Sequence, residues 1–124
     1  TNTSEEVEKV NTIFEQYKKL TDLYWASPHP GYDYRFGFAL PPGVSKKNGV
    51  LEASKLLNIS CKEMLAVGDS WSDWQFMKEC GYVGAMSNAH QELLDTVTER
   101  GDNGVIGKTV LEDGLIEILD YFEV

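Results

Sequence analysis

A four-residue apolar run, Met64 to Val67, stops abruptly at Gly68-Asp69-Ser70-Trp71-Ser72-Asp73, and no other stretch restricts the possible folds as much. A short continuous apolar segment closed by glycine reads as a strand buried on both faces, and such strands belong to parallel sheets covered by helices. Ligands of open α/β sheets gather outside the carboxyl ends of the strands, where Gly68 lets the backbone turn sharply. Two carboxylates, Asp69 and Asp73, follow at that point with Ser70 and Ser72 between them. Neighbouring acids repel unless a positive group lies between them, and hard oxygen donors suit Mg²⁺. The plainer alternative is a strand–turn–helix in which Asp69 or Ser70 caps the next helix.

The chain from Ser45 onward alternates helix and strand. Ser45 can cap a helix carrying Val50, Leu51, Leu56 and Leu57. A second helix over about 72–79 packs through Trp74, Phe76 and Met77. Gly81 to Met86 reads as another buried strand, and Ser87-Asn88-Ala89 leads into a third helix with Leu93, Leu94 and Val97 on one side. Asn88 at this point serves as an N-cap on the plain reading. A last helix over about 111–122 places Leu115, Ile118, Leu119 and Phe122 at three- to four-residue spacing. Such alternation argues for an α/β domain, a parallel sheet with helices on both faces.

The first 42 residues are organised differently. Thr3-Ser4-Glu5-Glu6 has the form of a capping box, with Thr3 as N-cap. Val7, Val10, Ile13, Phe14, Tyr17 and Leu20 then recur at helical spacing and define one buried stripe. Leu23 to Ala26 reads as a short strand, Pro28-His29-Pro30-Gly31 as a loop. Tyr34, Phe36 and Phe38 alternate with Arg35 and Gly37, the period of a strand with one buried face. Pro41-Pro42-Gly43 ends the unit, which is too small to cover its own sheet.

Charge and cysteine content exclude several functions. A formal net charge of −9 leaves no basic stripe able to neutralise nucleic-acid phosphates. No apolar stretch approaches the length needed to span a membrane. Cys61 and Cys80 have no metal-binding spacing with His29 or His90, and reduced thiols fit a cytoplasmic protein. Both histidines read as solvated. The Asn-x-Ser/Thr patterns at Asn2 and Asn58 are chance matches.

The order Gly-Val-Ser-Lys-Lys (43–47), helix, strand, Gly-Asp-Ser-x-Ser-Asp (68–73), helix, strand, Met-x-Asn-Ala (86–89), helix, Asn-Gly-Val (103–105) resembles the C-terminal half of haloacid-dehalogenase (HAD) superfamily phosphatases. The nearest branch is that of the Cof-type and sucrose-phosphate-phosphatase-like enzymes, and the likeness covers roughly residues 33–106. It implies a Rossmann-like HAD core over 43–124, preceded by the end of an α+β cap over 1–42. An N-terminal βα extension of the same domain is the alternative for that first stretch.

By this resemblance the protein is a Mg²⁺-dependent phosphomonoesterase acting on a sugar phosphate or a similar small phosphorylated metabolite. Lys46 matches the lysine that neutralises the nucleophile and the transferring phosphoryl group, although alone it would read as solvated, and adjacent Lys47 competes for the role. Asp69 matches the metal ligand. Asp73 would bind the metal through water or orient Lys46. Ser72 stands where this branch carries Asn, and it would donate to the substrate phosphate, with Asn88 a further substrate contact. Trp71 either lines the mouth or packs, and Trp74 belongs to the core.

The Asp-x-Asp nucleophile motif of the family occurs nowhere in the chain, whose first 40 residues hold only Asp22 and Asp33. The expectation is therefore a fragment lacking the nucleophile and inactive alone, whose companion is a missing N-terminal segment. Self-association through a bare sheet edge near 64–67 is a further expectation. The competing function is a catalytically inactive HAD-like module serving protein association or binding. If the family reading holds, Lys46 and Asp69 should converge on one charged site.

Overall fold

The computed structural model describes residues 4–26 and 34–124, and the chain divides into two compact units, Thr1–Ser45 and Lys46–Val124. Thr3, and the Pro28–Gly31 loop with His29, lie outside the described residues.

In the first unit, helix α1 (Ser4–Glu15) precedes strands β1 (Asp22–Trp25) and β2 (Gly37–Leu40). The strands pair antiparallel, Leu23 opposite Ala39 and Tyr24 opposite Phe38. The Trp25 indole N–H donates to Asn11 Oδ1 at 2.8 Å and ties β1 to α1. Its ring also lies against Gly37, where a Cβ would come within 3.0 Å of it. The stripe expected on α1 is only half realised. Val7, Val10 and Phe14 are partly buried, whereas Ile13, Tyr17 and Leu20 are exposed. Two four-residue strands offer too little surface to cover both a helix face and the turn that extends it to Leu20. For the same reason Phe36 and Phe38 are exposed, and β2 begins only at Gly37.

The second unit is the expected α/β layer structure. Strands β3 (Leu65–Gly68), β4 (Tyr82–Met86) and β5 (Gly104–Gly107) form a parallel sheet in that order. Helices α2 (Lys46–Leu57), α3 (Trp74–Met77), α4 (Gln91–Thr98) and α5 (Gly114–Tyr121) surround it. Register pairs Ala66 with Val83 and Gly68 with Ala85. Side chains alternate across a strand, so these four share one face. Ala66, Val83 and Ala85 pack there with Met77 of α3 and Leu93 and Val97 of α4. Gly84 and Gly107 face the other way, towards Ile118 of α5, whose atoms would lie 2.6 and 2.9 Å from a Cβ at those positions. Helices therefore cover both faces.

Several sequence-based boundaries shift. The helix expected over 72–79 is a 3₁₀ turn, Trp71–Asp73, followed by the single α-turn of α3. The last helix is interrupted at Asp113, which adopts a left-handed conformation (φ 59°) between a 3₁₀ turn and α5. Leu56, Leu57 and Leu115 are exposed, contrary to their periodicity. The residue preceding α4 is His90 and not Asn88, which stands in the turn after β4. Among the described residues no helix is long and apolar enough to cross a membrane.

Candidate active site

The loop leaving β3 folds back on the strand that delivers it. Gly68 has no positive φ, so its glycine is required for space and not for turning. A Cβ there would fall 2.6 Å from Asp73 Cβ and 2.7 Å from Met77 Sδ. That absent methyl lets Asp73 sit directly against the strand end, where its side chain is 6% exposed.

A carboxylate buried to this degree must be compensated. Asp73 Oδ2 accepts from the backbone N–H groups of Asp69 (3.2 Å) and Ser70 (3.1 Å), and from the Ser70 hydroxyl (3.1 Å). Asp73 Oδ1 accepts from Lys46 Nζ at 2.5 Å. Burial pushes the Asp73 carboxyl pKa up, but Lys46 and the two amides outweigh burial and hold it below the ordinary aspartate range. With both oxygens engaged, Asp73 acts as the clasp of the loop and the anchor of Lys46.

Lys46 opens α2 and lies over the Phe76 ring, 5.8 Å from its centroid. Its neighbour Lys47 turns away and pairs with Glu79 at 2.7 Å. Glu79 is thereby held below the usual carboxylate range. The tandem lysines are thus divided between two acids.

Lys46, Asp69 and Asp73 line one groove of about 570 Å³, together with apolar Val50, Ala53, Val67, Phe76, Met86 and Val110. Its polar end lies at the carboxyl end of β3, and its apolar walls run along α2 and the strands. Ser72 and Asn88 lie outside this lining. Ser72 Oγ instead meets Ser70 Oγ at 2.7 Å. Asn88 is exposed in the next loop, which the His90 N–H joins to the Asp69 carbonyl at 3.3 Å. Trp71 is exposed and outside the groove lining, and Trp74 packs against the core. Ser70, which the sequence offered only as a spacer or cap, is tied into the acid cluster. A serine three residues before an aspartate was its one signal, since that spacing lets the two side chains exchange bonds with each other's backbone.

Asp69 is exposed, and its carboxylate makes no hydrogen bond among the described residues. A lone hard-oxygen donor at a strand end fits part of a Mg²⁺ shell, because the ion keeps several waters and takes one or two carboxylates. Among the described residues no three His, Cys, Asp or Glu side chains gather where a metal could sit. Asp69 therefore fits as a contributor to a metal site completed by other groups.

The family profile of haloacid dehalogenase-like hydrolases matches residues 2–119. The chain is similar to a phosphoglycolate phosphatase of Methanoculleus marisnigri, 38% identical over 71 residues, covering 52% of this chain and 30% of that protein. It is also similar to the 5-amino-6-(5-phospho-D-ribitylamino)uracil phosphatase YbjI of Escherichia coli, 29% identical over 80 residues, covering 64% and 27%. Among solved structures, a haloacid dehalogenase-like hydrolase from Bacteroides thetaiotaomicron superposes with TM-score 0.71 at 17% identity, covering 98% of this chain and 41% of that one. The chain thus matches about 30% of the length of the curated relatives. With the match running through almost its whole length, this chain belongs to the haloacid dehalogenase-like hydrolases.

Proposed function

We propose that the chain is the carboxyl-terminal portion of a Mg²⁺-dependent phosphomonoesterase of this family, acting on a sugar phosphate or similar small phosphorylated metabolite. The observation that carries the reading is the pairing of Lys46 with buried Asp73 in the groove that also exposes Asp69. The relatives' names point the same way, to phosphoglycolate in one case and a phosphoribityl compound in the other. In this reading residues 1–42 are the end of a cap domain and 43–124 the end of the core.

Each residue has a distinct part. Asp73 holds the Lys46 ammonium at the strand end, and Lys46 places a fixed cation beside charge that develops on the phosphoryl oxygens. Asp69 offers its free carboxylate to Mg²⁺, which when bound would neutralise charge on the substrate phosphate. The Phe76 ring faces the Lys46 ammonium. The attacking carboxylate comes from polypeptide beyond these residues, since no Asp-x-Asp exists here. The apolar end of the groove beside β3 would receive the strand that carries it, because among the described residues β3 pairs with β4 alone.

The test is to express the encoded polypeptide with its upstream codons and assay p-nitrophenyl phosphate with Mg²⁺, beside the 124-residue chain alone. Turnover is expected in the longer protein, reduced about 100-fold or more by Lys46→Ala, and absent from the chain alone. An upstream start codon with no acid-bearing strand, and no turnover in either protein, would instead establish an inactive association module.

A further inference from the structure

Three oxygens between β3 and α3 share only two hydroxyl protons. Ser72 Oγ lies 2.7 Å from Ser70 Oγ, and Ser70 Oγ lies 3.1 Å from Asp73 Oδ2. Asp73 pairs with Lys46 and accepts two backbone amides, so it is ionised and has no proton to give. Ser70 must therefore donate to Asp73, or two oxygens, one of them charged, would face each other unbridged. A serine hydroxyl carries one proton. Once Ser70 has spent its own on Asp73, the proton in the Ser70–Ser72 contact comes from Ser72. Ser72 is left with lone pairs only.

We propose that Ser70 is a positioning residue that fixes Ser72 as an acceptor, so that Ser72, in the loop between the groove-lining Asp69 and Asp73, takes a hydrogen-bond donor, a water or a substrate hydroxyl, and not a phosphate oxygen. The assignment deepens the phosphatase reading and rests on it for the identity of the ligand. It also reverses the expectation that Ser72 donates to phosphate. A dianionic phosphate presents acceptors alone, and to bind one Ser72 would have to break its bond to Ser70. A polyol or sugar hydroxyl can donate to Ser72 without disturbing the chain of bonds behind it.

Neutron diffraction from deuterium-exchanged crystals of the 124-residue chain tests the proton arrangement without any ligand. The expected result is one deuteron on Ser72 Oγ directed at Ser70 and one on Ser70 Oγ directed at Asp73. A deuteron on Ser70 directed at Ser72 would overturn the proposal. Ser70→Thr keeps a hydroxyl and should preserve the pattern, whereas Ser70→Ala should release the Ser72 deuteron to another direction. An unchanged Ser72 deuteron in Ser70→Ala would remove the positioning role. In a second arm, inorganic phosphate is titrated into the native chain and Ser72→Ala. Affinity should agree within about twofold, and a loss of about tenfold on Ser72→Ala would also overturn the proposal. A native chain that binds no phosphate counts against the phosphatase reading, while the deuteron positions still decide the role of Ser70.

Discussion

Lys46 and Asp73 meet at 2.5 Å although one side chain is 68% exposed and the other 6%. The pair is therefore asymmetric: Asp73 belongs to the interior and needs its donors, whereas Lys46 can reach water. Asp73→Ala should cost about 3–5 kcal/mol, since the loop amides, the Ser70 hydroxyl and Lys46 lose their common acceptor. Lys46→Met should cost about 1–2 kcal/mol, because three donors still face the carboxylate. Urea unfolding of the two variants checks the order. Equal costs would show that Asp73 does not clasp the loop.

The same pair predicts an acid limb in stability. The Asp73 pKa is lower folded than unfolded, so above the ordinary value of 3.8 the folded form is favoured by full ionisation. As pH falls through that value and then through the lower folded one, the unfolded chain takes up the proton first and this stabilisation is lost. Thermal unfolding between pH 7 and pH 3 should show a fall in Tm that is smaller in Asp73→Asn. A fall of identical size in that variant would assign the limb to other carboxylates.

Gly68→Ala should destabilise the second unit by about 1–3 kcal/mol, the usual range for overpacking. Its methyl would meet Asp73 and fully buried Met77, at 2.6 and 2.7 Å. Amide resonances of residues 69–73 should shift most. A variant as stable as the parent would mean that the loop relaxes away from the strand.

Asp69→Ala should leave stability within about 0.5 kcal/mol, as expected for an exposed side chain with no structural partner. In the longer protein the same change should abolish Mg²⁺-dependent turnover. Persistent turnover near the parent rate would remove Asp69 from the metal site.

The alternating pattern after Ser45 was legible because buried strands and amphipathic helices each impose their own period. Ala66, Val83, Leu93, Val97 and Ile118 are buried as that pattern requires. Periodicity failed where an apolar face has nothing to lie against. Ile13, Tyr17 and Leu20 of the first unit keep helical spacing and yet stand in solvent, as do Leu56 and Leu57. Pattern reports what a residue can bury, and burial itself needs a partner surface. Within the loop, Asp69 and Asp73 read as equivalent acids four residues apart. One is exposed and the other enclosed by four donors, a difference that depends on contacts with Gly68 and Lys46, which local spacing does not reveal.

The amino-acid order by itself determined the α/β class, the parallel strands and the positions of the acids at a strand end, because these follow from local periodicity and from the glycine that closes an apolar run. Only the tertiary structure decided which of Lys46 and Lys47 meets Asp73, why Gly68 must lack a side chain, and that the Ser70 and Ser72 hydroxyls meet. Those outcomes arise between groups as far apart in sequence as Lys46 and Asp73, or from a close approach that only packing creates. Hydrogen-bond direction in particular is fixed by the ionisation of a buried neighbour, and burial is a property of the folded chain alone.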